Sequence, residues 1–142
     1  MNPNPKSNPH AKTRSHHANE TAEDYVEAVF EIIAETGECR VLDLARFFDV
    51  SHVTVSKIVR RLDGLGLLET APYRPITLTA EGKKMAKKMQ ARHQTVLQFL
   101  LALGVDETTA SIDSEGIEHH VSDKTLAAMK KFLKNHGDQP EN

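Results

Sequence analysis

The chain has no tryptophan, two tyrosines, five phenylalanines and one cysteine. With so few aromatics, any core must be built mostly from aliphatic side chains. A single thiol, Cys39, excludes an internal disulfide framework and suits a reducing compartment; it reads as a small buried side chain. Long hydrophobic runs are also missing. The longest, residues 96–105, is broken by Gln98 and is far too short to cross a bilayer. No charged-then-apolar leader is legible at the start, so a cytoplasmic location is expected, with no membrane partner.

Charge of one sign is absent from two segments. Residues 1–19 hold Lys6, Lys12 and Arg14 and no acid, whereas residues 20–37 hold six acids and no base. Residues 38–92 carry eleven Lys and Arg against six acids, and residues 93–142 carry four against eight. The net charge of -2 conceals this segregation. A basic middle between acidic flanks implies a module that binds anions joined to one that binds cations.

At 142 residues the chain suits one domain, or two small ones sharing a core. Residues 1–19 are rich in Pro, Asn, Ser and His without apolar periodicity, and read as a disordered arm. A helix is expected from Thr21, a candidate N-cap, to Gly37, with Tyr25, Val29, Ile32 and Ile33 at helical spacing. Asp24 and Glu27 lie three apart on it, so both side chains can reach one point.

Residues 41–48 form a short amphipathic pattern, Asp49-Val50 a tight turn, and Ser51 a cap for a second helix to about Leu62. The buried face of that second helix is expected to hold Val55, Ile58 or Val59, and Leu62. Two short helices, a brief turn and a polar, basic second helix describe a helix-turn-helix, whose second helix enters the DNA major groove. Ser51, His52, Val53, Thr54 and Ser56 are small or polar enough to approach base edges. Lys57, Arg60 and Arg61 suit phosphates. Two extended runs, residues 67–71 and 76–78, flank Pro72-Tyr73-Arg74-Pro75 and predict a hairpin wing with Arg74 at its tip. Thr79 is expected to cap a long helix, residues 80–103, basic in its first half and apolar in its second. Another helix starts at Asp106, and Ser122 caps a last one over residues 123–135. The apolar surplus of these last helices predicts a homodimer interface.

The densest chemistry lies in Asp113-Ser114-Glu115-Gly116-Ile117-Glu118-His119-His120-Val121-Ser122. If that stretch is helical, Glu115, Glu118 and His119 share one face. Carboxylates with an imidazole suit a divalent cation of intermediate hardness, Mn²⁺ or Fe²⁺. A solvated charged face is the plain alternative.

Together these residues resemble the manganese transport regulator branch of the diphtheria toxin repressor (DtxR) family. The resemblance covers residues 21–136. It rests on Asp24-Tyr25-Val26-Glu27, Leu78-Thr79-Ala80-Glu81-Gly82, Arg92-His93, residues 99–105, and residues 115–122. It implies a mainly α fold: a winged helix-turn-helix over residues 20–78 with a small β-hairpin wing, then a helical metal-binding and dimerisation domain over 79–136 and a tail, 137–142. It also implies the metal ligands Asp24, Glu27, His93, Glu115, Glu118 and His119, taking one or two Mn²⁺ per chain, with Fe²⁺ a further candidate. Iron-responsive relatives carry a Met and a Cys where this chain has Asp24 and Glu115, which favours Mn²⁺ here. The absence of a further C-terminal domain points the same way. Relatives commonly have Gly after the wing-tip arginine, where this chain has Pro75, which excludes positive φ there.

The implied activity is metal-dependent repression at a palindromic operator in double-stranded DNA, with no organic substrate. In this scheme, metal offsets the repelling carboxylates and ties the first helix to the dimerisation helices. Three other readings stay open. They are an iron-responsive regulator, a metal-independent winged-helix regulator, and a metal-dependent hydrolase using Glu118 as general base.

Overall fold

The computed structural model describes residues 9–136, with side chains from residue 18 onward. The chain divides into two compact units between Ala86 and Lys87. The boundary therefore falls inside a helix, eight residues later than the expected division at 78/79.

The first unit comprises α1 (Pro9–Thr36), α2 (Val41–Phe48), α3 (His52–Gly64), β1 (Leu68–Glu69), β2 (Thr77–Leu78) and the start of α4 (Ala80–Ala102). Tyr25, Val26 and Val29 of α1, Leu44 of α2, Val55, Val59 and Leu62 of α3, Leu68 of β1 and Ile76 just before β2 form its largely aliphatic core. Tyr25 stacks on Phe48 with ring centroids 4.4 Å apart. Burial, with the Asp24 carboxylate a smaller cause, raises the pKa of its phenol.

α1 corrects the expected arm. The helix begins at Pro9, not Thr21, so Thr21 is an interior residue and not a cap. Proline is favoured at a first helical position, and no glycine or further proline interrupts residues 10–36. Missing apolar periodicity reports missing burial, which is not the same as missing helix. Residues 1–8, the side chains of His10, Lys12, Arg14, His16 and His17, and the expected tail 137–142 lie outside the described residues. Gly37, at φ 93°, ends the helix as expected.

The wing is shorter than expected, two residues per strand, with Leu68 opposite Leu78 and Glu69 opposite Thr77. The remaining extended residue, Ile76, pairs with Cys39, donating its N–H to the Cys39 carbonyl at 2.7 Å. The junction into α4 explains the Leu78-Thr79-Ala80-Glu81-Gly82 sequence. The Thr79 hydroxyl accepts the Gly82 N–H at 3.0 Å and donates to the Gly66 carbonyl at 2.7 Å. A Cβ on Gly82 would sit 1.9 Å from the Leu67 carbonyl oxygen, so no other residue fits without displacing backbone.

The second unit holds the rest of α4, α5 (Glu107–Ile117) and α6 (Asp123–His136). Met89 and Val96 of α4, Ala110 and Ser114 of α5, and Leu126 of α6 are buried. Phe99 meets Phe132 edge to face at 5.4 Å. Both expected caps form. Asp106 accepts the Thr109 N–H at 3.0 Å, which holds its carboxyl below the usual pKa, and Ser122 accepts the Thr125 N–H at 3.1 Å.

One expectation fails here. The stretch 113–122 is not helical throughout: α5 ends at Ile117, and 118–120 form a turn. Glu118 keeps right-handed helical angles, φ -56° and ψ -31°, so it still follows Glu115 at helical spacing, while His119 lies beyond the helix. Gly116 weakens the last turn of α5, and Ser122 must be reached to start α6.

Candidate metal centre and nucleic-acid interface

In the second unit, three of the expected ligands converge. His93, in the fourth turn of α4, turns Nδ1 to within 2.7 Å of Glu118 Oε2 and 3.8 Å of Glu115 Oε1. Ligand atoms from His93, Glu115 and Glu118 all lie within 4.8 Å of one another. The Glu118 side chain is completely buried, and the Glu115 side chain is 67% exposed, so the group has one dry wall and one open side. His119 sets Nε2 3.5 Å from Glu118 Oε1, with its own side chain almost wholly buried.

Two carboxylates at one imidazole nitrogen repel each other in a low-dielectric pocket unless a cation or proton compensates them. A nitrogen with two oxygens, and no sulfur, fits Mn²⁺ or Fe²⁺ and offers little to softer ions. The donor set therefore suits the implied metal. The other expected ligands, Asp24 and Glu27, are half-buried on α1 in the first unit.

Sequence reasoning passed over a residue that contacts this turn at several points. Arg92 was read as one cation among several on a basic half-helix, yet it is only 8% exposed. Its Nε donates to the Glu118 carbonyl at 3.0 Å, one terminal nitrogen to the Val121 carbonyl, and the other to Asp123 Oδ1 at 2.9 Å. The available signal was its adjacency to His93 within a shared motif.

The first unit holds the helix-turn-helix as expected. α2 closes at Asp49, which takes a left-handed φ of 52°, and Ser51 caps α3 by accepting the Thr54 N–H at 3.1 Å. Val55, Val59 and Leu62 face the core, with Ile58 half-buried. His52, Val53, Thr54, Lys57, Arg60 and Arg61 are exposed, as are Ser51 and Arg74, while Ser56 is half-buried. Thr54 also bonds Ser51 through its hydroxyl at 2.9 Å, and Arg61 gives one N–H to the Ala18 carbonyl of α1 at 3.4 Å.

Between α3 and the wing runs a cleft of ≈ 630 Å³ lined by Arg40, His52, Arg60 and Arg74. Its one acid, Asp63, is engaged by the Thr70 N–H at 3.0 Å. A concave surface of this kind suits a phosphodiester backbone. Arg40 escaped the sequence reading because it precedes α2 rather than lying on α3.

The wing tip resolves the Pro75 problem. Positive φ falls on Tyr73, at 62°, two residues before Pro75. Arg74 donates its N–H to Ala71 at 3.2 Å, so Pro72 and Tyr73 are the central pair of a turn with the proline-first, left-handed-second pattern of type II.

Comparison with known proteins gives two family matches, which meet between residues 76 and 79. The description "Iron dependent repressor, N-terminal DNA binding domain" matches residues 17–76, and "Iron dependent repressor, metal binding and dimerisation domain" matches residues 79–142. The chain is 46% identical over 126 residues to the transcriptional regulator MntR of Escherichia coli O6:H1, covering 89% of this chain and 81% of that protein. The chain belongs to the DtxR family of metal-dependent repressors. Within this family it is also 37% identical to the HTH-type transcriptional regulator MntR of Lysinibacillus sphaericus, over 84% of this chain and 86% of that one. A solved DtxR-type structure, a manganese-dependent transcriptional repressor in complex with manganese, superposes with a TM-score of 0.71 at 29% identity. It covers 80% of this chain, which spans only 52% of that structure's length. Length therefore says nothing about metal choice, contrary to the argument from a missing C-terminal domain.

Proposed function

We propose that this protein is a manganese-responsive transcriptional repressor of manganese transport and homeostasis genes, acting in the cytoplasm as a homodimer on a palindromic operator. The observation that carries this reading is the sulfur-free donor group formed by His93 Nδ1, Glu115 and Glu118. It is supported by membership of a family of regulators whose matched descriptions name DNA binding, metal binding and dimerisation. That membership also sets aside the hydrolase alternative.

His93, Glu115 and Glu118 would hold the ion, with His119, Asp24 and Glu27 as the further donors implied by the resemblance. The bound cation supplies positive charge that offsets the carboxylates. The chain's own part is to hold those carboxylates and the imidazole at close quarters, so that the metal-free group is strained by like charge. Because metal and DNA act on one conformational equilibrium, metal raises DNA affinity and DNA raises metal affinity by the same factor. Lys57, Arg60 and Arg74 neutralise phosphates, and the start of α3 reads bases. Leu103 and Ile112 of the second unit remain well exposed, at 58% and 67%, and a second copy would cover such surface. Among the described residues, no helix is long and apolar enough to cross a membrane.

The test is a titration of the chain with its own upstream DNA, run with and without Mn²⁺, while sedimentation follows the oligomeric state. Binding that appears only with Mn²⁺, by a dimer, supports the reading. Metal-independent binding would leave a regulator of another kind.

A further inference from the structure

We propose that Arg92 is a positioning residue for the metal site, fixing the backbone that presents Glu118 and His119. This deepens the reading given above and rests on it. Adjacent residues of α4 grip Glu118 at both of its ends. The Arg92 guanidinium holds its backbone carbonyl at 3.0 Å, and the His93 ring meets its carboxylate at 2.7 Å. The same guanidinium also binds the Val121 carbonyl, so it spans the turn between α5 and α6 from the first residue to the fourth.

α5 stops at Ile117, whose carbonyl accepts the His120 N–H at 3.0 Å, while the Glu118 and Val121 carbonyls of the turn accept from Arg92. Backbone carbonyls near a helix C-terminus attract cations, and the planar guanidinium holds its donors in a fixed fork that reaches two separate carbonyls, a geometry the compact ammonium of lysine does not reproduce. Arg92 does this from within the fold, at 8% exposure. Its third partner, the Asp123 carboxylate, is 80% exposed and screened by solvent, so the carbonyl pair is what places the turn. Glu118 is fully buried and cannot adjust its position by swinging into solvent. Its oxygens go where its backbone puts them, and Arg92 sets that backbone.

The experiment uses the full chain, with Mn²⁺ alone as the probe and no DNA. Arg92→Lys keeps the charge and loses the fork; Asp123→Asn keeps both carbonyl bonds and loses the ion pair. In Arg92→Lys, Mn²⁺ affinity measured by calorimetry is expected to fall about ten- to a hundred-fold, the usual scale for residues that orient ligands. Amide exchange in the metal-free variant is expected to quicken across 118–122 while α4 and α6 keep their protection. Asp123→Asn is expected to bind Mn²⁺ as wild type does. Unchanged Mn²⁺ affinity in Arg92→Lys, whatever its melting temperature, makes Arg92 a structural residue only and overturns the proposal. An equal loss in Asp123→Asn overturns it too, because the ion pair would then be the effective contact. Wild type without Mn²⁺ affinity overturns both this proposal and the function it rests on.

Discussion

His93 and Glu118, 25 residues apart in sequence, meet at 2.7 Å between Nδ1 and Oε2, with the carboxylate entirely removed from solvent. A buried acid is stable only when something nearby compensates its charge, and this one faces the imidazoles of His93 and His119 and a second carboxylate. Glu118→Gln keeps the shape and removes the charge. It is expected to abolish the Mn²⁺ response in DNA binding, with little change in the metal-free melting temperature. Glu118→Ala is expected to lower that temperature as well, because it opens a void in a closed site. Calorimetry with and without Mn²⁺ separates the two effects.

Gly82 should be costly to substitute. A Cβ would lie 1.9 Å from the Leu67 carbonyl oxygen, at the junction that carries the wing into α4. Gly82→Ala is expected to destabilise the protein by about 1–3 kcal/mol, the usual cost of overpacking, or more if the wing cannot shift. The urea midpoint measures this.

DNA affinity should respond to cations in the first unit one at a time. Lys57→Ala, Arg60→Ala and Arg74→Ala are each expected to weaken binding and lower the salt slope by about one counterion. Thr54→Ala should instead relax sequence preference, and it also removes a hydroxyl that bonds the Ser51 cap. Affinity measured over a salt series on operator and scrambled DNA distinguishes phosphate contacts from base contacts.

Cys39 should be inert in the folded protein. Burial, and secondarily the Asp43 carboxylate, push its thiol up to about 12. The raised value means the native state keeps its proton where the unfolded thiol loses it. The stabilising contribution is therefore complete below the unfolded value near 9 and is lost as pH rises toward 12. A thiol reagent at pH 8 is expected to label Cys39 only after denaturant is added.

Much of the first unit was legible because α2, α3 and the cap at Ser51 bury one face and expose the other, and burial is what sequence periodicity records. α1 was misread for the same reason: residues before Ala18 lack an apolar face, so a helix running from Pro9 left no periodic mark. In the second unit, the residue types of the metal group were legible, but its shape was not. The helix stops at Ile117 and leaves His119 in a turn. The turn that follows is held by Arg92, whose three partners lie 26 to 31 residues away, beyond any local pattern. In the wing the left-handed turn residue is Tyr73, at φ 62°, a position that no local sequence pattern marks.

Metal selectivity tests the central claim most directly. Affinity alone is a poor guide, because Zn²⁺ outcompetes Mn²⁺ at most nitrogen–oxygen sites, and Mg²⁺ sheds water too reluctantly to fill this one. The decisive measurement is operator binding at saturating metal, by fluorescence anisotropy, with Mn²⁺, with Mg²⁺ and with a chelator. The account predicts tight binding with Mn²⁺ and weak, salt-sensitive binding in the other two. Equal affinity with Mn²⁺ and with chelator would contradict it.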